Sequence, residues 1–357
     1  MFRIGQFGDT IVALPAVHRI AERHPGARFT LITNSPLQSS FVTAWDVLRH
    51  TGIFSDVLPY NAARARDLMR LALACRRLQP AHLYYLSPPR SAQQLLRDRV
   101  FFGLICGFRS ITGIDGRPAP DLRDAAGELL VLPRECDRLL RVVDASGAPP
   151  LPPYLAPPAA AETKATELLR PFAGRLLVAF GAGSKMPAKK WFLERYIEVA
   201  RRVADASPTA VLVVFGGRED RAEGDQIVQA VGPDRALNLA GSTDIIESAA
   251  ALARCSFYVG NDTGTMHLAA VMGLPCVAVF TSRENRDVWA PWGTSHTILR
   301  RELPCSGCML ERCEVERMRC LDLISADDVW AAVEPRLNAP PLGTSDRRPA
   351  TLHGVDP

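Results

Sequence analysis

The residues of this 357-residue chain that could do chemistry gather in three glycine-containing stretches. The fullest is Tyr258-Val259-Gly260-Asn261-Asp262-Thr263-Gly264-Thr265-Met266-His267. A strand is expected to end at about Gly260. Asp262 then serves as a good N-cap for a helix that runs to Met272, where Gly273 closes it and Pro275 leads into the next strand. Thr263 and His267 stand four apart and so share a face of the first turns, and Gly264 lets another group approach the backbone closely. Helix N–H groups, a hydroxyl and an imidazole would then converge on one anion. An Asp-Thr-Gly by itself is better read as a capped helix with a packed histidine. The complete strand–loop–helix unit with His267 favours the anion pocket.

The second stretch, Gly181-Ala182-Gly183-Ser184-Lys185-Met186-Pro187-Ala188-Lys189-Lys190-Trp191, should begin where a strand over 176–180 ends. Small residues, a hydroxyl (Ser184) and three lysines (Lys185, Lys189, Lys190) in a strand-to-helix loop suit a diphosphate. Neither the P-loop spacing nor the third glycine of the dinucleotide fingerprint is present. One of these lysines is readily explained as solvated charge; all three are less so. The third stretch, Gly5-Gln6-Phe7-Gly8-Asp9-Thr10, follows the first short apolar run. Asp9 reads either as a helix cap or as an acidic group facing a ligand, and Pro15 requires the helix to start near Leu14 or to kink there. Near the C-terminus Cys305, Cys308, Cys313 and Cys320 form C-x2-C-x4-C-x6-C. Four thiolates could hold zinc or an iron–sulfur cluster, although the spacing matches no common finger, and free thiols clamping a loop are the simpler alternative.

The elements that must position these groups alternate in type. Strands are expected at 2–6, 29–33, 56–60, 82–86 and 110–114, and again at 176–180, 211–215, 237–240, 257–260, 276–280 and 297–299, with helices between most of them and a last one at about 326–337. In the stretch 62–78, Leu68, Leu71, Ala72, Cys75 and Leu78 fall on one face, while its arginines lie mostly elsewhere. Such a basic helix could lie on a membrane, but core packing with a solvated face is the simpler reading. The Pro-rich run around Pro149–Pro158 cannot be regular helix and reads as a linker. The expected organisation is an N-terminal Rossmann-like domain (1–147), a linker (148–160), a second Rossmann-like domain (161–337) and a disordered tail (338–357). Strand–helix alternation implies parallel sheets wound on both faces, with ligands at the carboxyl ends of the strands.

Composition sets outer bounds. At 47% hydrophobic and 22% charged, the chain is an ordinary globular one with material for two cores. Its net charge of +4 is too small to argue for nucleic acid and suits phosphorylated ligands or an anionic membrane surface. No apolar run is long enough to span a bilayer, and Met1-Phe2-Arg3-Ile4-Gly5 lacks the pattern of a signal peptide, so a cytoplasmic protein with nine thiols rather than a disulfide framework is expected.

Taken in order, these stretches resemble the heptosyltransferase family, glycosyltransferase family 9. The resemblance runs from about Arg3 to about Leu337. It rests on Gly8-Asp9 with Pro15, Lys189-Lys190-Trp191, Gly216-Gly217 after a strand, and Asp262-Thr263-Gly264 with His267. Weaker echoes are Arg97-Asp98 before Phe101-Phe102, Trp289-Ala290-Pro291-Trp292-Gly293 and the cysteine-bearing stretch. The chain departs from the family at Thr281-Ser282-Arg283-Glu284-Asn285, where a Gly-Pro-Thr type of turn is usual. The resemblance implies a GT-B fold: two Rossmann-like, doubly wound domains facing across a cleft. It also implies inverting, metal-independent transfer of a sugar from a nucleotide donor such as ADP-heptose to a lipopolysaccharide-core or related glycan acceptor, with no cofactor required.

The residues suit that chemistry. Displacing a nucleoside diphosphate needs a base, for which Asp9 is the candidate. It also needs positive charge on the leaving group, for which Ser184, Lys185, Lys189, Asp262, Thr263, Gly264 and His267 form the candidate donor pocket. Glu219, Asp220 and Glu223 are candidates for the ribose. Partners would be the donor and a lipid-linked or saccharide acceptor, with peripheral contact at the inner membrane surface compatible with both. The same fold leaves two alternatives, a nucleotide-sugar epimerase or hydrolase and a sugar-nucleotide-binding protein without catalysis.

Overall fold

The computed structural model describes residues 1–35, 42–78, 82–114, 123–147, 149–150, 154–314 and 317–338. The chain divides into two compact units, one from Met1 to Tyr154 and one beginning at Leu155. Four residues of the linker expected at 148–160, namely 148 and 151–153, lie outside the described residues, as does the expected tail beyond Asn338.

In the first unit the strands are short: β1 (Phe29–Asn34), β2 (Phe54–Tyr60), β3 (Leu83–Tyr84) and β4 (Ile111–Thr112). β1 pairs with β2 and β3 with β4, both in parallel. Phe2 stitches the two pairs together, bridging in parallel to Ile32 on one side and Tyr85 on the other. The order is therefore β2, β1, Phe2, β3, β4, with the first segment of the chain at the centre. The strand expected over 2–6 is reduced to that bridge. Gly5 takes φ +133°, and a helix begins at Phe7. Pro15 is accommodated by a break: one helix spans Phe7–Val12 and the next, Leu14–Arg23, carries the proline in its first turn, where no N–H is missed. The core of this unit packs Phe2, Tyr85 and Phe102 together, with Phe2 and Tyr85 stacked at 4.8 Å between ring centroids.

The second unit contains one six-stranded parallel sheet made of β5 (Leu176–Gly181), β6 (Ala210–Val214), β7 (Ala236–Asn238), β8 (Phe257–Asn261), β9 (Cys276–Val279) and β10 (Thr297–Leu299). Their order is β10-β9-β8-β5-β6-β7. Continuous apolar runs such as Val211-Leu212-Val213-Val214 suit strands covered on both faces, and every residue of β6 and β8 is buried. The helix Leu193–Ala206 buries Tyr196, Val199, Ala200 and Val203, the spacing of one helical face. The helix Ala326–Leu337 opens on Ser325, whose hydroxyl accepts from the Asp328 N–H, and buries Val329 and Val333.

Successive strands run outward from β5 in one direction (β6, β7) and then resume on its other side (β8, β9, β10). The reversal falls between the loops after β5 and β8, the place where open parallel sheets bind ligands. Among the described residues no helix is long and apolar enough to cross a membrane.

Candidate active site

The loop after β5 and the loop after β8 are tied together by Asn261, the last residue of β8 and fully buried. Its Oδ1 accepts from the Trp191 backbone N–H at 3.0 Å and from the Tyr196 hydroxyl at 2.9 Å. Its Nδ2 donates to the carbonyls of Ala182 at 2.7 Å and Gly183 at 3.2 Å. Both donors and both acceptor sites of the amide are thus used, at the start and the end of the lysine-bearing loop. Sequence reasoning quoted Asn261 within its motif without assigning it a role, because its partners lie about 70 residues away. Gly183 matters for a different reason: a Cβ there would stand 2.0 Å from the Asp220 carboxyl carbon, so any side chain would have to displace that carboxylate.

With the loop so fixed, Lys189 reaches back over the end of β8. Its Nζ donates to Asp262 Oδ2 at 2.7 Å and to Glu284 Oε2 at 3.2 Å, and the three side chains are largely buried. Burial works against the charge on Lys189, but the two carboxylates outweigh it and hold its pKa above the ordinary lysine value. Glu284 is gripped from its other side by the buried guanidinium of Arg283, which also donates to the carbonyls of Leu310 at 2.8 Å and Met309 at 2.7 Å. The result is a row of alternating charge, Arg283, Glu284, Lys189, Asp262. An ammonium has three N–H groups, and these two carboxylates account for two of them. The Trp289 ring lies 6.0 Å from Nζ and edge-on to the His267 ring at 6.5 Å.

Asp262 does not cap the following helix as expected. Thr263 holds the extended N-cap position (φ −145°, ψ 170°) and the helix spans Gly264–Val271. Asp262 is instead committed to Lys189, an ion pair that outcompetes a local cap. His267 is buried on that helix, its backbone N–H donating to the Thr263 carbonyl at 3.2 Å.

The remaining candidates are distributed more widely. Ser184 closes a local turn, its hydroxyl accepting from the Met186 N–H at 3.2 Å. Lys185 lies 3.9 Å from Glu219, and Lys190 pairs closely with Glu223. Each lysine of the loop therefore already faces a carboxylate, and two of the three residues considered for a ribose are among those partners. The third, Asp220, accepts from the Gly217 N–H at 2.8 Å, and burial first of all raises its pKa despite that bond. Glu284 was quoted from sequence only within the segment that departs from the family pattern, and Trp289 only as a weaker echo of the family; neither was given a place in the site.

In the first unit Asp9 stands in the third position of its helix, where Oδ2 accepts from the Gln6 N–H at 2.6 Å. The fully buried Arg3 grips the Asp9 carbonyl and donates to that of Leu86 at 2.8 Å. A Cβ on Gly5 would lie 2.7 Å from Asp9 Oδ2, so glycine is required there on two grounds, its φ and this approach. The carboxylate is only partly buried.

Cys305, Cys308, Cys313 and Cys320 all line one cavity of about 20 Å³, together with Arg283 and Met318. Among the described residues, however, no three His, Cys, Asp or Glu side chains are gathered to hold a metal. The cysteine segment is braced against the site through its backbone. The Gly307 N–H donates to Ser282 O, the Met309 N–H to Arg283 O, and the Ala188 N–H to Glu311 O.

The family model for "Glycosyltransferase family 9 (heptosyltransferase)" matches residues 138–319, a segment that holds all of the Lys189 site. The chain belongs to glycosyltransferase family 9. Within that family it is 34% identical over 110 residues to lipopolysaccharide heptosyltransferase 2 of Escherichia coli K12, a match covering 30% of this chain and 31% of that protein. The matched region thus spans about a third of the curated relative's length. Over 94% of the chain and 98% of the other, the fold is similar to that of E. coli ADP-heptose lps heptosyltransferase II, with a TM-score of 0.65 at 20% identity. It is also similar to a glycosyl transferase family 9 structure from Veillonella parvula, with a TM-score of 0.68 at 18% identity over 94% of this chain and 96% of that one. The expected GT-B fold and family are those found.

The amide of Asn261 yields a direct test. Asn261→Asp turns two donors into acceptors facing the Ala182 and Gly183 carbonyls inside a buried site. A loss of about 1–3 kcal/mol is expected for such unmatched polar groups, read as a drop of several degrees in Tm. A Tm equal to that of the parent protein would show that the two loops do not depend on this residue.

Proposed function

We propose that the protein is an inverting, metal-independent glycosyltransferase. In this reading it moves heptose from ADP-heptose to a hydroxyl of a lipopolysaccharide-core or related glycan acceptor. One observation carries the reading: a protonated lysine held at the switch point of a parallel sheet, beside the start of a helix, in the segment that matches family 9. The names of the similar proteins supply the sugar and the nucleotide.

The reaction breaks the bond between the anomeric carbon and the diphosphate oxygen and forms one to the acceptor oxygen on the opposite face. Negative charge develops on the departing diphosphate. Lys189, with an N–H beyond those given to Asp262 and Glu284, and the N–H groups of Thr263–Thr265 would stabilise it. The acceptor hydroxyl must lose a proton as it attacks, and Asp9 is assigned that proton. Ser184, Lys185, Gly264 and His267 complete the donor pocket in this proposal. For the ribose we favour Glu219, since the half-buried Asp220 is packed against Gly183 and held by the Gly217 N–H, and Glu223 is engaged by Lys190. With cationic protein groups on the diphosphate, the reaction needs no divalent ion. The lipid-linked nature of such an acceptor would bring the enzyme to the cytoplasmic face of the inner membrane.

Transfer is expected with ADP-heptose and a core-glycan acceptor in the presence of EDTA, followed as ADP release that requires acceptor. A strict need for added magnesium or manganese would contradict the role given to Lys189, and ADP release without acceptor would instead support a hydrolase.

Lys189→Ala should weaken binding of ADP by roughly tenfold or more while changing adenosine binding little, since the lost charge addresses phosphate alone. Calorimetric titration of both ligands checks this. Equal effects on the two would remove phosphate from the account of Lys189.

Asp9→Asn keeps the cap acceptor but not the basicity. Donor affinity should stay near that of the parent protein while kcat falls about 10²–10⁴-fold, the usual contribution of a general base. A variant that turns over at the parental rate would return Asp9 to the role of helix cap.

A further inference from the structure

Most of the exposed large hydrophobic side chains among the described residues lie in one part of the first unit. Seven of the ten fall within the helix Ala65–Leu78 and the segment made by the helix Ala92–Val100 and the turn Phe101–Ile105. On the second segment Leu96 (64% exposed), Val100 (42%) and Leu104 (73%) recur every four residues and so form one ridge. On the helix Ala65–Leu78, Met69 (65%) and Leu73 (51%) repeat the same spacing. The two segments are neighbours: the Arg76 guanidinium donates to Ile105 O at 2.8 Å and Leu104 O at 3.1 Å. Each also has a separate inward face, with Leu71, Ala72 and Cys75 on one and Phe102 on the other packed in the core. The outward ridges are therefore not displaced core.

Charge accompanies these ridges. Residues 65–78 and 92–105 hold six arginines (66, 70, 76, 77, 97, 99) and two aspartates (67, 98), a net of +4 that equals the excess of the entire chain. Asp98 is buried, where it accepts from the Tyr85 hydroxyl at 2.5 Å and pairs with Arg97, so it adds little negative charge to the surface. At 100° per residue Arg66, Arg70 and Arg77 fall on the same strip of the helix as Met69 and Leu73. A soluble helix face normally separates aliphatic side chains from charge. Exposed aliphatics flanked by arginines are the pattern of helices that lie in a membrane interface, apolar tips among the acyl chains and guanidinium groups at the phosphates.

We propose that this two-helix face docks the protein on an anionic lipid surface, with Leu96, Val100, Leu104, Met69 and Leu73 entering the interface and Arg66, Arg70 and Arg77 meeting lipid phosphates. Charge complementarity selects that occupant. A second copy of the chain would set one +4 face against another, and an apolar protein groove gives the arginines no counter-charge. The proposal rests on the first unit alone and stands whether or not the donor-site reading is right.

The test is co-sedimentation of the full chain with large unilamellar vesicles, either pure phosphatidylcholine or phosphatidylcholine with about one-third phosphatidylglycerol. Binding is expected to the anionic vesicles only and should be largely lost in 0.5 M salt, since charge attraction to lipid is screened. Arg70→Gln with Arg77→Gln should weaken it roughly thirty-fold, at about fivefold per arginine near such a surface. Leu96→Ser with Leu104→Ser should abolish sedimentation while leaving circular dichroism and Tm unchanged. Arg201→Glu, an exposed change of charge on the second unit, should have only a small effect. Failure of the parent protein to bind anionic vesicles, or equal binding by the serine and parent proteins, overturns the proposal. So does a dimer in sedimentation velocity that the serine pair dissolves while vesicle binding persists.

Discussion

The second unit depends on one buried side chain, the amide of Asn261. Parallel strands deliver their loops to the same edge of a sheet but do not fix the loops to one another, and the loop after β5 runs for nine residues, 182–190, with only one short turn (Pro187–Lys189) before Trp191. Asn261 fastens both ends of that loop to the end of β8 through three hydrogen bonds, and the helix that follows through a fourth, from the Tyr196 hydroxyl. Everything chemical in the unit follows from that fastening. Lys189 can reach Asp262 only because the backbone that carries it is already held, and an amide with its whole bonding capacity met inside a protein is costly to disturb.

A second constraint is charge. A lysine with this degree of burial would tend to lose its proton. Asp262 and Glu284 reverse that tendency, and Arg283 in turn supports Glu284. The row of alternating charges reaches from the carbonyls of Met309 and Leu310 to the helix Gly264–Val271, so the cysteine-bearing segment and the proposed donor pocket form one mechanical piece. That gives the cysteine segment a structural role which its backbone hydrogen bonds already perform. A comparable device organises Asp9 in the first unit, where a buried arginine and a glycine with positive φ set the turn before the helix.

Much of this was legible in the residues. Strand and helix order in the second unit followed from apolar runs and periodicity, and its strands lie within two residues of their expected limits. The first unit was less legible. Its central strand is a single bridging residue, because the conformation of Gly5 turns the chain before a ladder can form. The role of Asp262 was misread since a local cap and a distant ion pair ask for the same residue type, and only the position of Lys189, 73 residues earlier, decides between them. Asn261 and Glu284 could not be singled out for a related reason: the partners of Asn261, and the Lys189 that Glu284 accepts from, are remote in sequence, and local spacing carries no trace of them. Family membership was visible because its motifs are short local runs, Gly8-Asp9 with Pro15, Lys189-Lys190-Trp191, Gly216-Gly217 and Asp262-Thr263-Gly264 with His267, that can be read without knowing any long-range contact.

The central claim is that a nucleoside diphosphate binds where the loops after β5 and β8 meet. Amide hydrogen exchange with and without ADP tests it most directly, because protection reports on the very backbone groups involved. The account predicts slowed exchange confined to residues 181–191 and 261–267 and to the segment around Glu284. Protection located elsewhere, with these loops exchanging at the same rate in both states, would contradict it.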